Sequence, residues 1–172
     1  MATTISAEDL FFGAPASLTI GGVEVGATLT PPKVSIEATQ YAPEFQGAGG
    51  PISGAVFNTK IKCTAEMTVN EITAAKLAWS LPGSSSATAG TPPTDTITWA
   101  IGRVPSASFE DIILDGVGLD GQHLIVTISD ALADGKLEIE MSDSAVVGST
   151  VTFTGYYDGS DPTTAPFSIE VG

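Results

Sequence analysis

At 172 residues, with 42% apolar and 15% charged side chains, the chain can bury a core, is not disordered, and holds nothing like a linker, so one domain over 1–172 is expected. Acidic residues outnumber basic ones by 20 to 6, and a net charge of -14 disfavours nonspecific binding to phosphate backbones or anionic lipid. The single cysteine, Cys63, excludes an intrachain disulfide framework and a cysteine-rich metal site.

The N-terminal run "MATTISAEDLFF" lacks a basic region followed by an apolar one, and no window reaches the ~18 apolar residues of a membrane span. Folding in a cytoplasm without membrane insertion is therefore expected. In "ASLTIGGVEVGAT", Leu18 and Ile20 precede Gly21-Gly22, and Val23 and Val25 follow it, which reads as a tight hairpin because a two-residue turn demands positive φ. "KVSIEAT" (Lys33 to Thr39) alternates through Val34 and Ile36, with Pro31-Pro32 at its entrance opposing a strand through that point. A glycine-rich polar loop over 41–54 follows. From Ser53 to Glu66 the alternation is long. Ala55, Phe57, Thr59, Ile61, Cys63 and Ala65 fall on one face, and Val56, Asn58, Lys60, Lys62, Thr64 and Glu66 on the other. Cys63 reads as a buried, inert thiol.

Thr68 followed by Glu71 fits a capping box, and Val69, Ile72, Ala75 and Trp79, with Lys76 or Leu77, recur at helical spacing, predicting one helix over about 69–81 that Leu81-Pro82-Gly83 stops. "GSSSATAGTPPT" reads as a polar surface connection. Alternation then resumes at Ile97, Trp99 and Ile101; at Phe109, Ile112 and Leu114; at Leu124, Val126 and Ile128; at Leu137, Ile139 and Met141; at Val151 and Phe153; and at Phe167, Ile169 and Val171. Short strands separated by Asp-Gly turns predict a mainly β fold: an antiparallel sandwich or barrel with one flanking helix.

The search for chemistry returns negatives. His123, the only histidine, opens the run "HLIVTIS" and reads as a strand-end polar residue with no nucleophile motif near it. Nucleophile elbow, P-loop, zinc helix and dinucleotide fingerprint are missing, so neither an enzyme nor a resident cofactor is expected. Glu138 and Glu140 read as a solvated strand face. The segment from Asp115 to Asp120 and the turn holding Asp158 and Asp161 contain oxygen ligands, but calcium repeats act in stacked copies, and Asp-Gly turn chemistry accounts better for one imperfect copy. Ion binding there is left open. Trp79 and Trp99 both fall on apolar faces, which favours core packing over sugar stacking.

The run from Ile20 to Leu81, "IGGVEVGATLTPPKVSIEATQYAPEFQGAGGPISGAVFNTKIKCTAEMTVNEITAAKLAWSL", resembles the major tail tube proteins of bacteriophages. Gly26-Ala27-Thr28 after the hairpin, Gly50-Pro51 at the end of the loop and Glu71-Ile72-Thr73 at the helix hold the places of that family's landmarks. The resemblance covers about half the chain and rests on the order of architectural motifs. It implies a structural virion protein, a β-sandwich forming hexameric rings that stack into a hollow tail tube through which DNA passes unbound. It also implies assembly in the host cytoplasm and tape-measure, tail terminator and baseplate or initiator proteins as partners. In that picture the loop over 41–54, with Tyr41, Phe45, Gly49, Gly50, Pro51 and Ile52, reaches the neighbouring ring, and the N-terminal arm over 1–12, with Phe11 and Phe12, packs on an adjacent subunit.

Two points agree with the bare sequence. A 14-residue glycine-rich loop is unusual in a compact domain unless functional, and its apolar anchors would be exposed in a monomer. An acidic wall also keeps a moving duplex off the surface, although Lys60 and Lys62 count against placing their face in the lumen. The alternative is an extracellular β-sandwich module for carbohydrate binding or adhesion. It predicts exposed aromatic residues, calcium-dependent stability and a monomer at high concentration.

Overall fold

The computed structural model describes residues 14–26, 28–44, 47, 50–70, 73–118, 121–139 and 148–172. The fold is mainly β, an antiparallel sandwich or barrel-like architecture with one short helix among the described residues. Strands β1 (Ala14–Ile20) and β2 (Val23–Glu24) form the expected hairpin, with Ile20 opposite Val23. Gly21 and Gly22 take φ of 56° and 76°, the pair of left-handed residues that makes a two-residue turn match the strand twist.

Strand β3 (Thr28–Tyr41) pairs along its length with β4 (Phe57–Val69). β3 runs straight through Pro31-Pro32, against the sequence expectation. The ladder absorbs the prolines as register shifts between Thr28 and Thr30 and between Thr30 and Lys33, and β3 is an outermost strand, where a missing N–H leaves no partner unsatisfied. β4 starts and ends three to four residues later than the run from Ser53 to Glu66 suggested.

Further along come β7 (Glu110–Val117), β8 (His123–Ala133), β9 (Glu138–Ile139), β10 (Ser149–Gly155) and β11 (Phe167–Val171), and the main sheet runs in the order β2-β1-β7-β8-β10-β4-β3. β8 is the shared strand. Its first half, through Ile128, pairs with β11, whereas Ala131 to Ala133 pair with β10. The change falls at Asp130, whose φ of 48° is tolerable for aspartate, and whose N–H donates to Asp111 Oδ1 at 3.1 Å.

Strands at opposite ends of that order share one core, so the sheet curls upon itself. Leu18, Ile20 and Val25 from one end join Cys63, Ala65, Met67 and Val69 from the other, with Ile112, Ile128, Val151 and Phe153 between them. Phe153 stands between two alanines, Ala65 on β4 and Ala133 on β8, so one large side chain fills the space that its small neighbours leave. Cys63 is fully buried, and burial pushes its thiol pKa up, as an inert core residue requires.

The helix is shorter than expected and capped elsewhere. α1 spans Ala74–Trp79, and Thr73 Oγ1 accepts the Lys76 N–H at 3.3 Å as the N-cap. Thr68 belongs to β4, its hydroxyl 3.0 Å from that of Thr150, and Val69 is a buried ladder residue opposite Ser149 and Thr28. A threonine three residues before a glutamate needs no capping role when sheet pairing already satisfies the backbone; Glu71 lies outside the described residues. Lys76 Nζ donates to Val25 O at 2.8 Å and ties the helix to the first hairpin.

The stretch read as a polar surface connection, 83–94, holds a strand, β5 (Ser85–Ala89), which pairs with β6 (Thr94–Thr98), where the alternation through Ile97 was expected to resume, in a separate two-stranded sheet. β5 exposes all its residues, so it had no apolar alternation to show. β6 ends at Thr98, and the alternation that continues to Trp99 and Ile101 is not on a sheet. Trp99 is 54% exposed and Ile101 fully exposed, correcting the core role expected of Trp99; Trp79 does pack against the core. Among the described residues no helix is long and apolar enough to cross a membrane.

Candidate assembly surface

β3 and β4 extend well beyond the body of the sheet. β10 covers β4 only from Thr64 to Val69, and the adjoining stretch of β4 is closed by a single side chain. Tyr157 Oη accepts the Ile61 N–H at 2.9 Å and donates to Ile61 O at 3.0 Å, capping both backbone groups where the neighbouring strand stops. Past that point the chain is a two-stranded arm. Residues 36–41 and 57–60 are all exposed, and the ribbon is held by its own ladder together with Thr59 Oγ1 donating to Thr39 O at 3.0 Å.

The arm ends in apolar side chains. Tyr41 and Phe57 face each other in register, each 58% exposed, and Ile52 and Val56 are 45% and 43% exposed. The Ala55 N–H donates to Ile52 O at 3.1 Å, closing a turn in which Gly54 supplies the left-handed residue, φ 84°. Gly50 and Pro51 are exposed beside it. The structure thus gathers Tyr41, Gly50, Pro51 and Ile52 at one tip, and adds Val56 and Phe57. In the sequence Phe57 only shares a strand face with Ile61 and Cys63, which does not reveal that β10 stops short of it. Phe45, Gly49, Phe11 and Phe12 lie outside the described residues.

Replacing Tyr157 with phenylalanine removes both hydrogen bonds to Ile61, and the expected loss is about 1–2 kcal/mol. Amide exchange should accelerate across 57–61 and 37–41 while the core strands keep their protection. An arm as protected as the parent's would show that Tyr157 does not anchor it.

The wet face of β3 and β4 is not acidic. Glu37 stands opposite Lys62 and Lys33 opposite Glu66, and Lys60 adds a third lysine against two glutamates. Cross-strand pairing of this kind stabilises the ribbon modestly and leaves the face close to neutral.

The remaining candidates resolve into local structure. His123 Nδ1 donates to Asp115 Oδ1 at 2.8 Å, joining β7 to the start of β8 in the strand-end role expected of it. Glu138 pairs with Lys136 at 2.9 Å on the surface, and Glu140 and Asp120 lie outside the described residues. No cluster of three potential metal-ligating side chains occurs among the described residues.

In the β10–β11 turn the carboxylates are engaged by the turn itself. Asp158 accepts from the Ser160 N–H at 2.8 Å and the Ser160 hydroxyl at 2.7 Å; Asp161 accepts from the Thr164 and Thr163 hydroxyls at 2.7 and 2.8 Å. The backbone bond from Ser160 chiefly holds the Asp158 pKa below the ordinary aspartate value, and the Thr164 hydroxyl chiefly does so for Asp161. Groups whose pKa is depressed by folding contribute above their unfolded pKa and lose that contribution as pH falls through the folded one. The Ser160 and Thr163 amide resonances should therefore hold their neutral-pH positions through the ordinary aspartate range and move only at lower pH; movement at the ordinary value would contradict the turn geometry.

No protein-family model matches the chain, and no curated protein matches its sequence.

Proposed function

We propose that this chain is the structural subunit of a phage-type tail tube, assembling into stacked rings that enclose a channel for DNA. The observation that carries the reading is the arm: a two-stranded ribbon beyond the body, ending in Tyr41, Phe57, Ile52 and Val56, all substantially exposed. An isolated subunit leaves this apolar tip in water, and another copy can cover it. A head-to-tail contact between copies does not close on itself, so such an interface propagates into a filament. The acidic excess suits a conduit, because a negatively charged wall does not hold the duplex. The near-neutral face of β3 and β4 does not supply that wall, so the acidic lining falls to other strands. Tape-measure, terminator and initiator partners, the virion tail as location and the absence of a catalytic role all belong to this reading.

The test is size-exclusion chromatography of purified protein across a concentration series, with negative-stain microscopy of the same fractions. Rings or tubes with a net negative bore are expected. Single molecules at every concentration, or a predominantly positive bore, would refute it. A glycan-binding sandwich is the second reading, and the exposed indole of Trp99 favours it. It predicts a monomer and saturable quenching of tryptophan emission by oligosaccharides.

A further inference from the structure

We infer that the cleft beside Trp99 binds a neutral oligosaccharide, an inference that rests on the second reading above for the class of ligand and requires neither a monomer nor an assembly. The cleft encloses about 620 Å³ between the turn after α1, the loop that follows β6 and the turn after β8, and it reaches Tyr156 just past β10. That volume lies within the range of about 300–1,000 Å³ typical of small-ligand sites.

Contacts among the walls fix the shape of the cleft. The loop after β6 is fastened to the turn after α1 at both ends: the Trp99 indole N–H donates to Pro82 O at 3.0 Å, and a Cβ on Gly83 would stand 3.3 Å from the Pro105 ring. The turn after β8 is held to β10, the Asp134 N–H donating to Thr152 O at 2.9 Å and the Thr154 hydroxyl to Asp134 Oδ1 at 3.0 Å. Tyr156 meets Phe109 edge to face, with ring centroids 5.5 Å apart. Both aromatic rings of the cleft are thus positioned before a ligand arrives, although Trp99 is 54% and Tyr156 45% exposed.

Charge and hydrogen bonding select the ligand. Arg103 and Asp134 line the same cleft, both exposed, and make no ion pair with each other. An anion entering here meets Asp134 and a chain of net charge -14, and a cation meets Arg103, so a neutral ligand is favoured. Asp134 Oδ2 accepts no hydrogen bond among the described residues, and the guanidinium adds a planar set of donors. A carboxylate and a guanidinium that share a cleft without meeting suit a hydroxyl-rich ligand, whose hydroxyls donate to the one and accept from the other in charge-assisted bonds. The indole supplies the remaining requirement, a flat apolar face. A pyranose ring satisfies both, with C–H groups on its face and hydroxyls around its rim. A proline-rich peptide, short of N–H donors, covers the aromatic rings but leaves Asp134 without a partner.

The test titrates purified protein with neutral oligomers of glucose, N-acetylglucosamine, mannose and galactose, with a uronic-acid oligomer and with a proline-rich peptide, read by tryptophan emission and calorimetry. The only other tryptophan, Trp79, packs against the core, so saturable quenching reports the cleft. At least one neutral oligomer should bind, and its affinity should fall about tenfold in each of Trp99→Ala, Asp134→Asn and Arg103→Gln. All three side chains are exposed and asparagine keeps an acceptor for Thr154, so parent-like melting by circular dichroism is expected. The uronic-acid oligomer should bind about tenfold more weakly than the neutral one. No binding by any neutral oligomer at millimolar concentration, or a preference for the uronic-acid oligomer or the peptide, would overturn the inference. Binding that all three variants retain would overturn the cleft and leave the glycan reading standing. Binding lost in the variants of a protein that also forms tubes would support the cleft while ending the monomer of the second reading.

Discussion

With residues 41–54 replaced by a short glycine linker, the protein folds normally and no longer polymerises. The described residues of the tip contribute nothing to the buried cluster, whose members from β4 begin at Cys63. Shortening a loop changes its closure entropy by only about 1 kcal/mol, so thermal unfolding stays near that of the parent. Assembly loses Tyr41, Pro51 and Ile52 together with Glu44, and falls below detection, at least a hundredfold, in pelleting assays read beside electron micrographs. Tubes of ordinary length from this variant would take the tip out of the mechanism.

The second large effect concerns the body. Phe153→Ala should lower stability by about 3–5 kcal/mol, because it places a third alanine in line with Ala65 and Ala133 and leaves a void that neither neighbour can fill. A domain of this size holds about 5–15 kcal/mol in total, so the variant unfolds at far lower denaturant concentration. Urea titration checks it. A loss under about 1 kcal/mol would mean that the two ends of the sheet do not share one packed core. Ile101→Asp, on a fully exposed side chain, should move the same midpoint little.

Where sequence and structure agree, one face of an element is buried and the other wet. Cys63, Ala65, Met67 and Val69 alternate with half-buried or exposed neighbours, and so do Val151 and Phe153, since burial writes the period of a strand into composition. The Gly21-Gly22 turn was readable for a different reason: its backbone angles restrict which residues can occupy it. Elements that bury nothing were illegible. β5 is exposed on both faces, and β3 passes two prolines that only an edge position permits. Thr68 misled because strand pairing and helix capping both use a threonine hydroxyl. At the candidate surface, the tip loop was visible through its length and glycines, but Phe57 and Trp99 were not. Phe57 continues an alternation past the place where β10 stops covering β4, and Trp99 continues one past the end of β6.

The Tyr157 clamp has a mechanical consequence. Inboard of Ile61 the β4 backbone is braced from both flanks, by β3 and by β10 or the phenol, whereas outboard it has one partner and an open side. Stiffness across a sheet grows with its width, so bending compliance is concentrated at a fulcrum one residue long. An array of copies joined through such arms would curve at its joints while each body stayed rigid, a chain of stiff links on short leaf springs.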